Sequence, residues 1–225
     1  MRLNKFIASA TSKSRREADD LIAAGRVLID GVVANLGARV PENAEVFLDG
    51  RRLAIPAGRT LIALNKPVGY VSSRRAQAKD ARTLYELLPA EYRALKTVGR
   101  LDRDSSGLIL LTDDGDLAFQ MTHPKFVKTK IYLVQIDKAL EPLHQQMISD
   151  FGIDLPDGRS KLTLEKMNDD RKSWRVIMHE GRNRQIRRTF AALGYAVTKL
   201  HRTDFGNYSL ENLKPGEYRV IESSK

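Results

Sequence analysis

Gly99-Arg100-Leu101-Asp102-Arg103-Asp104-Ser105-Ser106-Gly107-Leu108 runs into Ile109-Leu110-Leu111. A polar stretch bounded by glycines and followed by consecutive aliphatics reads as a loop leading into a strand, expected here over 107–112. The loop holds Asp102 between Arg100 and Arg103. In a basic chain, such a carboxylate is either a structural ion pair or a reactive group kept ionised where an anionic polymer docks.

Outward from this strand, apolar patterning predicts further strands at 60–65, 127–137, 160–166, 173–178, 196–201 and 217–221. Helices are expected at 83–88, where Thr83 and Glu86 form a capping-box pattern, and at 115–122, 141–149 and 184–193. Strands outnumber helices and the two do not alternate regularly. The expected class is therefore α+β, a mixed and mostly antiparallel sheet flanked by helices.

The first 56 residues read as a separate module. A short helix is expected over 2–10, and Ser14 with Glu17 starts a second that Gly25 stops. Asp30-Gly31 between two apolar pairs signals a hairpin with a primed turn, and Val46-Phe47-Leu48 before Asp49-Gly50 reads as another strand. Ile55-Pro56-Ala57-Gly58-Arg59 interrupts the pattern as a linker. The expected domains are 1–56 and 57–225.

Composition narrows the partner. The 225 residues carry 38 Lys+Arg against 28 Asp+Glu, a formal net charge of +10, which attracts phosphates by counterion release. The absence of cysteine excludes disulfides, thiol nucleophiles and Cys-ligated zinc, and fits a reducing compartment. No secretory leader and no apolar run long enough to span a bilayer is visible, so a soluble cytoplasmic protein is expected.

Around Asp102 three readings compete. Asp102, Asp104, Ser106, Gly107, Ile109 and Asp113 fall at positions one, three, five, six, eight and twelve of a calcium-binding EF-hand loop. The context opposes it: Gly99 stands where the entering helix should end, position twelve is Asp instead of the bidentate Glu, and the exit reads as a strand. A surface turn with a structural ion pair is the second reading, and a catalytic carboxylate the third.

Two further segments bear on the choice. Strand alternation places Lys128, Lys130, Tyr132, Val134 and Ile136 on one face, a surface able to hold phosphate and stack a base, or else a core-edge tyrosine beside solvated lysines. In the helix at 184–193, Ile186, Phe190 and Leu193 define a buried face, while Arg184 and Arg188 point away towards phosphates or solvent. Arg187 lies on the flank, within reach of a partly buried carboxylate. His123, His144, His179 and His201 are scattered without metal-ligand spacing, and Trp174 reads as a core residue.

Arg-Leu-Asn-Lys-Phe-Ile from Arg2, Ser-Arg-Arg-Glu-Ala from Ser14 and Gly-Arg-Val-Leu-Ile-Asp-Gly from Gly25 resemble the S-four RNA-binding domain. That resemblance implies RNA contact by Arg2, Lys5, Arg15, Arg16 and Arg26. Downstream come Asn65-Lys66-Pro67-Val68-Gly69, Gly99-Arg100-Leu101-Asp102 with Ser106-Gly107-Leu108, and Lys130-Ile131-Tyr132. Gly181-Arg182-Asn183-Arg184-Gln185-Ile186-Arg187-Arg188 and Leu200-His201-Arg202 before Phe205-Gly206 complete the series. In this order, the motifs resemble the RsuA-type ribosomal RNA pseudouridine synthases along nearly the whole chain.

The resemblance implies a pseudouridine synthase fold and the isomerisation of uridine to pseudouridine without metal or cofactor. It makes Asp102 the essential aspartate, Arg187 its ion-pair partner and Tyr132 the residue stacked on the target uracil. Arg100 is implied to help displace the base, with RNA contact also expected at Lys66, Lys130, Arg182, Arg184 and Arg188. Asp104 and Asp113 are left with turn and capping roles. The expected partner is ribosomal RNA or a ribosomal assembly intermediate, bound by a monomer away from membranes. Large-subunit 23S RNA is the expected substrate, with small-subunit 16S RNA or transfer RNA as alternatives. A non-catalytic RNA-binding assembly factor is the competing class, and a calcium-binding protein the third.

Overall fold

The Ser14 hydroxyl accepts the Glu17 amide at 3.2 Å while the Glu17 carboxylate accepts the Ser14 amide at 2.6 Å, which starts a helix by satisfying two otherwise orphaned donors. This computed structural model describes residues 1–11, 13–56, 58–74 and 81–222, so Ala57 of the expected linker lies outside the described residues. Two compact units emerge, one of Met1–Thr60 with Asp113–Gly115, the other of Leu61–Thr112 with Asp116–Lys225.

In the first unit, α1 (Leu3–Ala10) and α2 (Arg15–Ala23) bury Leu3, Ile7, Ala18, Leu21 and Ile22. Their core partners are Val27, Val46 and Leu48 of a four-stranded antiparallel sheet, order β2-β1-β3-β4. The strands are β1 (Val27–Ile29), β2 (Val32–Val33), β3 (Val46–Leu48) and β4 (Arg51–Leu53). Asp30-Gly31 and Asp49-Gly50 take φ values of 48°, 81°, 51° and 75°, the positive pairs that a type I′ hairpin turn requires.

The second unit begins with β5 (Leu61–Lys66), β6 (Tyr70–Val71), β7 (Arg82–Thr83), β8 (Lys96–Val98) and β9 (Ser106–Thr112). After α3 (Gly115–Thr122) come β10 (Lys130–Ile136), α4 (Pro142–Gln146), β11 (Ile153–Leu155), β12 (Gly158–Ser160), β13 (Thr163–Lys166) and β14 (Ser173–Met178). Helix α5 (Gln185–Ala191) precedes β15 (Val197–Phe205), β16 (Tyr208–Ser209) and β17 (Tyr218–Val220). A nine-stranded sheet runs β13-β14-β10-β15-β9-β5-β17, with β16 on β15 and β8 on β9. Among the described residues its pairs are antiparallel except β9 with β15, so the sheet is mixed and mostly antiparallel.

β9 explains its own apolar run. Ile109 and Leu111 join the core containing Trp174, Val176, Ile186 and Phe190, whereas Leu108 and Leu110 join Val98, Met121 and Phe205 on the opposite face. A strand covered on both faces has no reason to alternate. The parallel pairing begins at His201↔Ser106 and Arg202↔Gly107. A Cβ on Gly107, which has φ +106°, would lie 2.2 Å from the Arg202 carbonyl oxygen, so only glycine permits this register.

Several expected elements are shorter or interrupted. The helix expected at 83–88 is a 3₁₀ turn over Leu84–Leu87, although Glu86 does accept the Thr83 amide at 2.7 Å. The one expected at 141–149 passes from α4 into a π turn, Met147–Phe151. The strand expected at 160–166 divides between β12 and β13, while β15 extends beyond the expected 201 to Phe205. Left-handed Val127, φ 42°, delays β10 until Lys130 and leaves Lys128 outside the strand. No helix among the described residues is long and apolar enough to cross a membrane.

Candidate active site

The Asp102 turn is pinned from three directions. The Leu101 carbonyl accepts the Ser72 hydroxyl at 2.8 Å, the Gly69 amide donates to the Arg103 carbonyl at 2.7 Å, and the Ser105 amide closes the turn on the Asp102 carbonyl at 3.1 Å. Such anchoring fixes a functional side chain on a loop without requiring regular structure around it. Asp102 opens onto a cleft of about 630 Å³ whose walls include Arg100, Lys130, Tyr132, Arg184, Ile186 and Arg202. Strand β10 supplies Tyr132 and Lys130, the turn before α5 supplies Arg184, and β15 supplies Arg202.

The ion pairing differs from expectation. Arg184 approaches Asp102 Oδ2 at 3.3 Å and also bridges both oxygens of Asp104, at 3.1 and 3.0 Å. Arg187, expected to pair with Asp102, instead places Nε 3.3 Å from Asp104 Oδ2 and donates from Nη2 to the Asp104 carbonyl at 2.8 Å. Its Nη1 donates to the Val197 carbonyl at 2.7 Å. The reason is geometric: the flank of α5 carries Arg187 to the base of the turn, whereas left-handed Arg184, φ 47°, starts the helix nearer the cleft. Asp104 is consequently more than a turn residue. The hydrogen bond from Arg184 and the charge of Arg187 hold its carboxyl below the ordinary carboxylate range.

Besides Arg184, whose guanidinium is taken up by Asp102 and Asp104, three more cations expected on RNA are already engaged. Arg182 donates to Asp157 at 3.0 Å, Gly158 O at 2.7 Å, Arg159 O at 2.9 Å and Glu180 at 3.1 Å. Arg188 makes a two-pronged pair with Asp157, at 2.9 and 2.6 Å. These arginines fasten the β11–β12 hairpin to the turn before α5, a use invisible without knowing where Asp157 folds. Lys66 is the third correction. It is fully buried, with its ammonium donating to Pro67 O at 2.9 Å and Tyr70 O at 2.8 Å, so from this position it cannot meet RNA. Burial lowers its pKa to about 8, with the charges of Asp102 and Asp104 opposing that shift.

Lys130 remains half-buried on the cleft wall. Burial and the nearby Arg202 charge lower its pKa to about 8, partly countered by Glu180. Tyr132 is buried apart from its share of the cleft wall, and Arg100 stands exposed at the rim. Arg202 was quoted in the sequence only as part of a motif. It is buried, packs its guanidinium 4.8 Å from the Phe205 ring centre and donates from Nε to Leu108 O at 2.8 Å. Among the N-terminal cations, Arg2, Arg15 and Arg16 are exposed and Lys5 is half-buried. Arg26 is exposed but forms a two-pronged pair with Asp49, at 2.8 and 2.6 Å.

The calcium pattern is not one continuous loop, because its positions five to eleven are β9 and Asp113 lies beyond the strand's far end. Trp174 is fully buried, as expected. His201 meets the Ser106 hydroxyl at 2.9 Å and His144 the Tyr195 hydroxyl at 2.7 Å, which places both in packing contacts. Among the described residues no group of side chains has the arrangement of a metal site.

The chain thus carries a small helical and β module and a larger mixed sheet, with a carboxylate facing a basic, tyrosine-containing cleft. The comparisons supply the family. An S4 domain model matches residues 1–46, and the RNA pseudouridylate synthase model matches residues 60–192. The chain is 36% identical to the ribosomal small subunit pseudouridine synthase A of Vibrio parahaemolyticus over 98% of this chain and 96% of that protein. It is 34% identical to the ribosomal large subunit pseudouridine synthase B of Bacillus subtilis over 98% and 91%. A crystal structure of a pseudouridylate synthase superposes with a TM-score of 0.70 at 32% identity, covering 99% of this chain and 96% of that one. The chain belongs to the RsuA-type RNA pseudouridine synthase family, with an N-terminal S4 domain, and is an isomerase that acts on RNA.

Proposed function

We propose that this enzyme isomerises uridine in large-subunit ribosomal RNA, with Asp102 as its essential carboxylate. The observation that carries this reading is the placement of Asp102 on a pinned turn at the mouth of a cleft that also holds Tyr132, Lys130 and Arg100. A stacked nucleotide hides its glycosidic bond, so the target is drawn out of the stack at a cost of a few kcal/mol. Tyr132 offers a face for the uracil, and Arg100 at the rim helps displace the base.

Ionised Asp102 either attacks the anomeric carbon or removes the 2′ proton of the sugar; both routes start from this carboxylate. The bond from uracil N1 to the sugar breaks, its electron pair leaving with the base. The uracil turns and its carbon 5 bonds the anomeric carbon, as the Asp102 ester bond breaks on the first route or as Asp102 returns the proton to the 2′ carbon on the second; the proton on carbon 5 is then released and N1 takes up a proton. Atoms balance without an oxidant or reductant.

Release of tritium from ribosomal RNA labelled at uracil carbon 5 tests the assignment. Wild-type protein is expected to release it and Asp102→Asn to abolish release. Undiminished release by that variant sinks the role of Asp102 and favours an assembly factor with a structural aspartate.

The B. subtilis relative supports the large subunit; the V. parahaemolyticus relative supports small-subunit 16S RNA as the second reading. Mapping pseudouridines in both RNAs from cells lacking the protein separates them. We further place the domain boundary at 56/57. The proposed acting species is a cytoplasmic monomer working on ribosomal RNA or an assembly intermediate, its N-terminal domain adding affinity through Arg2, Lys5, Arg15 and Arg16.

A further inference from the structure

Beside the cleft, an aromatic cluster faces water. Phe119 of α3 lies 4.6 Å from His123 and 5.8 Å from Phe126 between ring centres. Lys125 sits over both phenyl rings, its ammonium 4.7 Å from the Phe126 centre and 5.4 Å from that of Phe119. Phe119 is 46% exposed and Phe126 36%. The next residue, Val127, is 62% exposed at φ +42°, a conformation that β-branched residues rarely adopt.

Core packing does not account for this arrangement. Met121, Leu117 and Ala118 form the inward side of α3, leaving Phe119 outside. Nor is the turn loosely held, because Phe126 N donates to His123 O at 3.1 Å and Val127 N to Pro124 O at 3.2 Å. Strain kept in an exposed apolar turn points to a functional constraint. The surface is continuous with the cleft, since His123, Pro124 and Val127 belong to its wall. Lys125, Lys128 and Arg100 make its border cationic, which suits a phosphate-linked base better than an apolar protein segment.

We propose that Phe119 and Phe126 form a stacking platform for an unstacked base of the substrate RNA, the neighbour of the uridine drawn into the cleft. Lys125 turns from the rings to the adjoining phosphate as the base arrives. Extruding one nucleotide deprives its neighbour of a stacking partner, and an aromatic face replaces what was lost. This inference rests on the reading that the cleft receives the target uridine.

The test uses the full chain with unmodified transcripts of 16S and 23S ribosomal RNA. Tritium release is measured for Phe119→Ala/Phe126→Ala, Phe126→Tyr, Phe126→Leu and the exposed control Leu143→Ala. The double alanine variant is expected to raise KM about ten-fold and keep kcat within about two-fold. Phe126→Tyr should match wild type, Phe126→Leu should show a raised KM like the double alanine variant, and Leu143→Ala should change nothing. Ultraviolet crosslinking with mass spectrometry is expected to mark residues 119–126, also in Asp102→Asn.

An unchanged KM in the double variant, or leucine serving as well as phenylalanine, overturns the platform. Absence of tritium release by wild type defeats the proposed function instead. The crosslink then still decides, because no RNA adduct within 119–126 overturns the platform regardless of turnover.

Discussion

Arg187 grips the main chain of Asp104, its Nη2 donating to the carbonyl at 2.8 Å, while its Nη1 bonds Val197 O at 2.7 Å. One guanidinium thereby ties the start of β15 to the turn that presents Asp102. Arg184, four residues after Glu180 in the chain, makes the direct approach to the Asp102 carboxylate. Presentation and charge pairing are divided between two arginines.

Arg187→Ala is expected to lower stability by about 2 kcal/mol, since two charge-assisted bonds to backbone carbonyls disappear. It should also slow tritium release by loosening the Asp102 turn. Lysine should not restore the rate, because one ammonium lacks the planar fork that reaches both carbonyls. Denaturant unfolding and single-turnover assays check the two effects; full activity in Arg187→Lys would argue against the tether.

Cations on this surface differ in availability. Arg100 makes no ion pair among the described residues, whereas Arg188 is held by Asp157. Replacing Arg100 by alanine should reduce the slope of log affinity against log salt by about one phosphate contact, or roughly 0.7 to 0.9. Arg188→Ala should leave that slope nearly unchanged. Equal losses in filter-binding titrations would mean that Asp157 releases Arg188 to RNA.

Lys130 gives a pH signature. Its folded pKa of about 8 lies below its ordinary 10.5, so between those values the unfolded chain binds more protons and stability rises with pH. Relative to Lys130→Met, wild type should gain stability across that window; Lys66, shifted the same way, cancels in the comparison. Binding runs in the opposite sense. Loss of the ammonium charge above about pH 8 should raise KM for RNA, while Lys130→Arg stays flat because guanidinium remains protonated. A wild-type KM independent of pH would remove Lys130 from the RNA-contacting set.

Gly107→Ala should be among the most damaging single changes. Its new methyl would overlap the Arg202 backbone at 2.2 and 2.5 Å and demand φ near +106°. We expect a loss of about 3 kcal/mol or more, or failure to fold, read by circular dichroism and urea unfolding. Gly115→Ala, with open space around its Cβ, is the matched control and should remain folded.

Much of the architecture was legible because it depends on local chemistry. Ser14 and Glu17 announce α2, Asp30-Gly31 announces its hairpin, and the unbroken aliphatics after Gly107 announce a buried strand. The family motifs likewise survive as ordered strings. The 83–88 segment keeps its Thr83 and Glu86 cap but winds as a 3₁₀ turn, and the 141–149 segment starts as an α-helix and ends in a π turn; a cap or an apolar pattern announces a helical turn without fixing its winding. Likewise, nothing next to Val127 in the chain signals the left-handed turn that shortens β10.

At the site, the sequence by itself determined which residue types are present: a carboxylate flanked by arginines, a Lys-Ile-Tyr strand and an arginine-rich helix start. Only the tertiary structure decided who pairs with whom. Asp157 and Glu180 claim Arg182 and Arg188, the carbonyls of Pro67 and Tyr70 claim Lys66, and Asp104 claims Arg187. Charge is written in the sequence, but an ion pair depends on a few ångströms of separation between distant segments, and that separation is set by how the fold brings β9, the β11–β12 hairpin and α5 together.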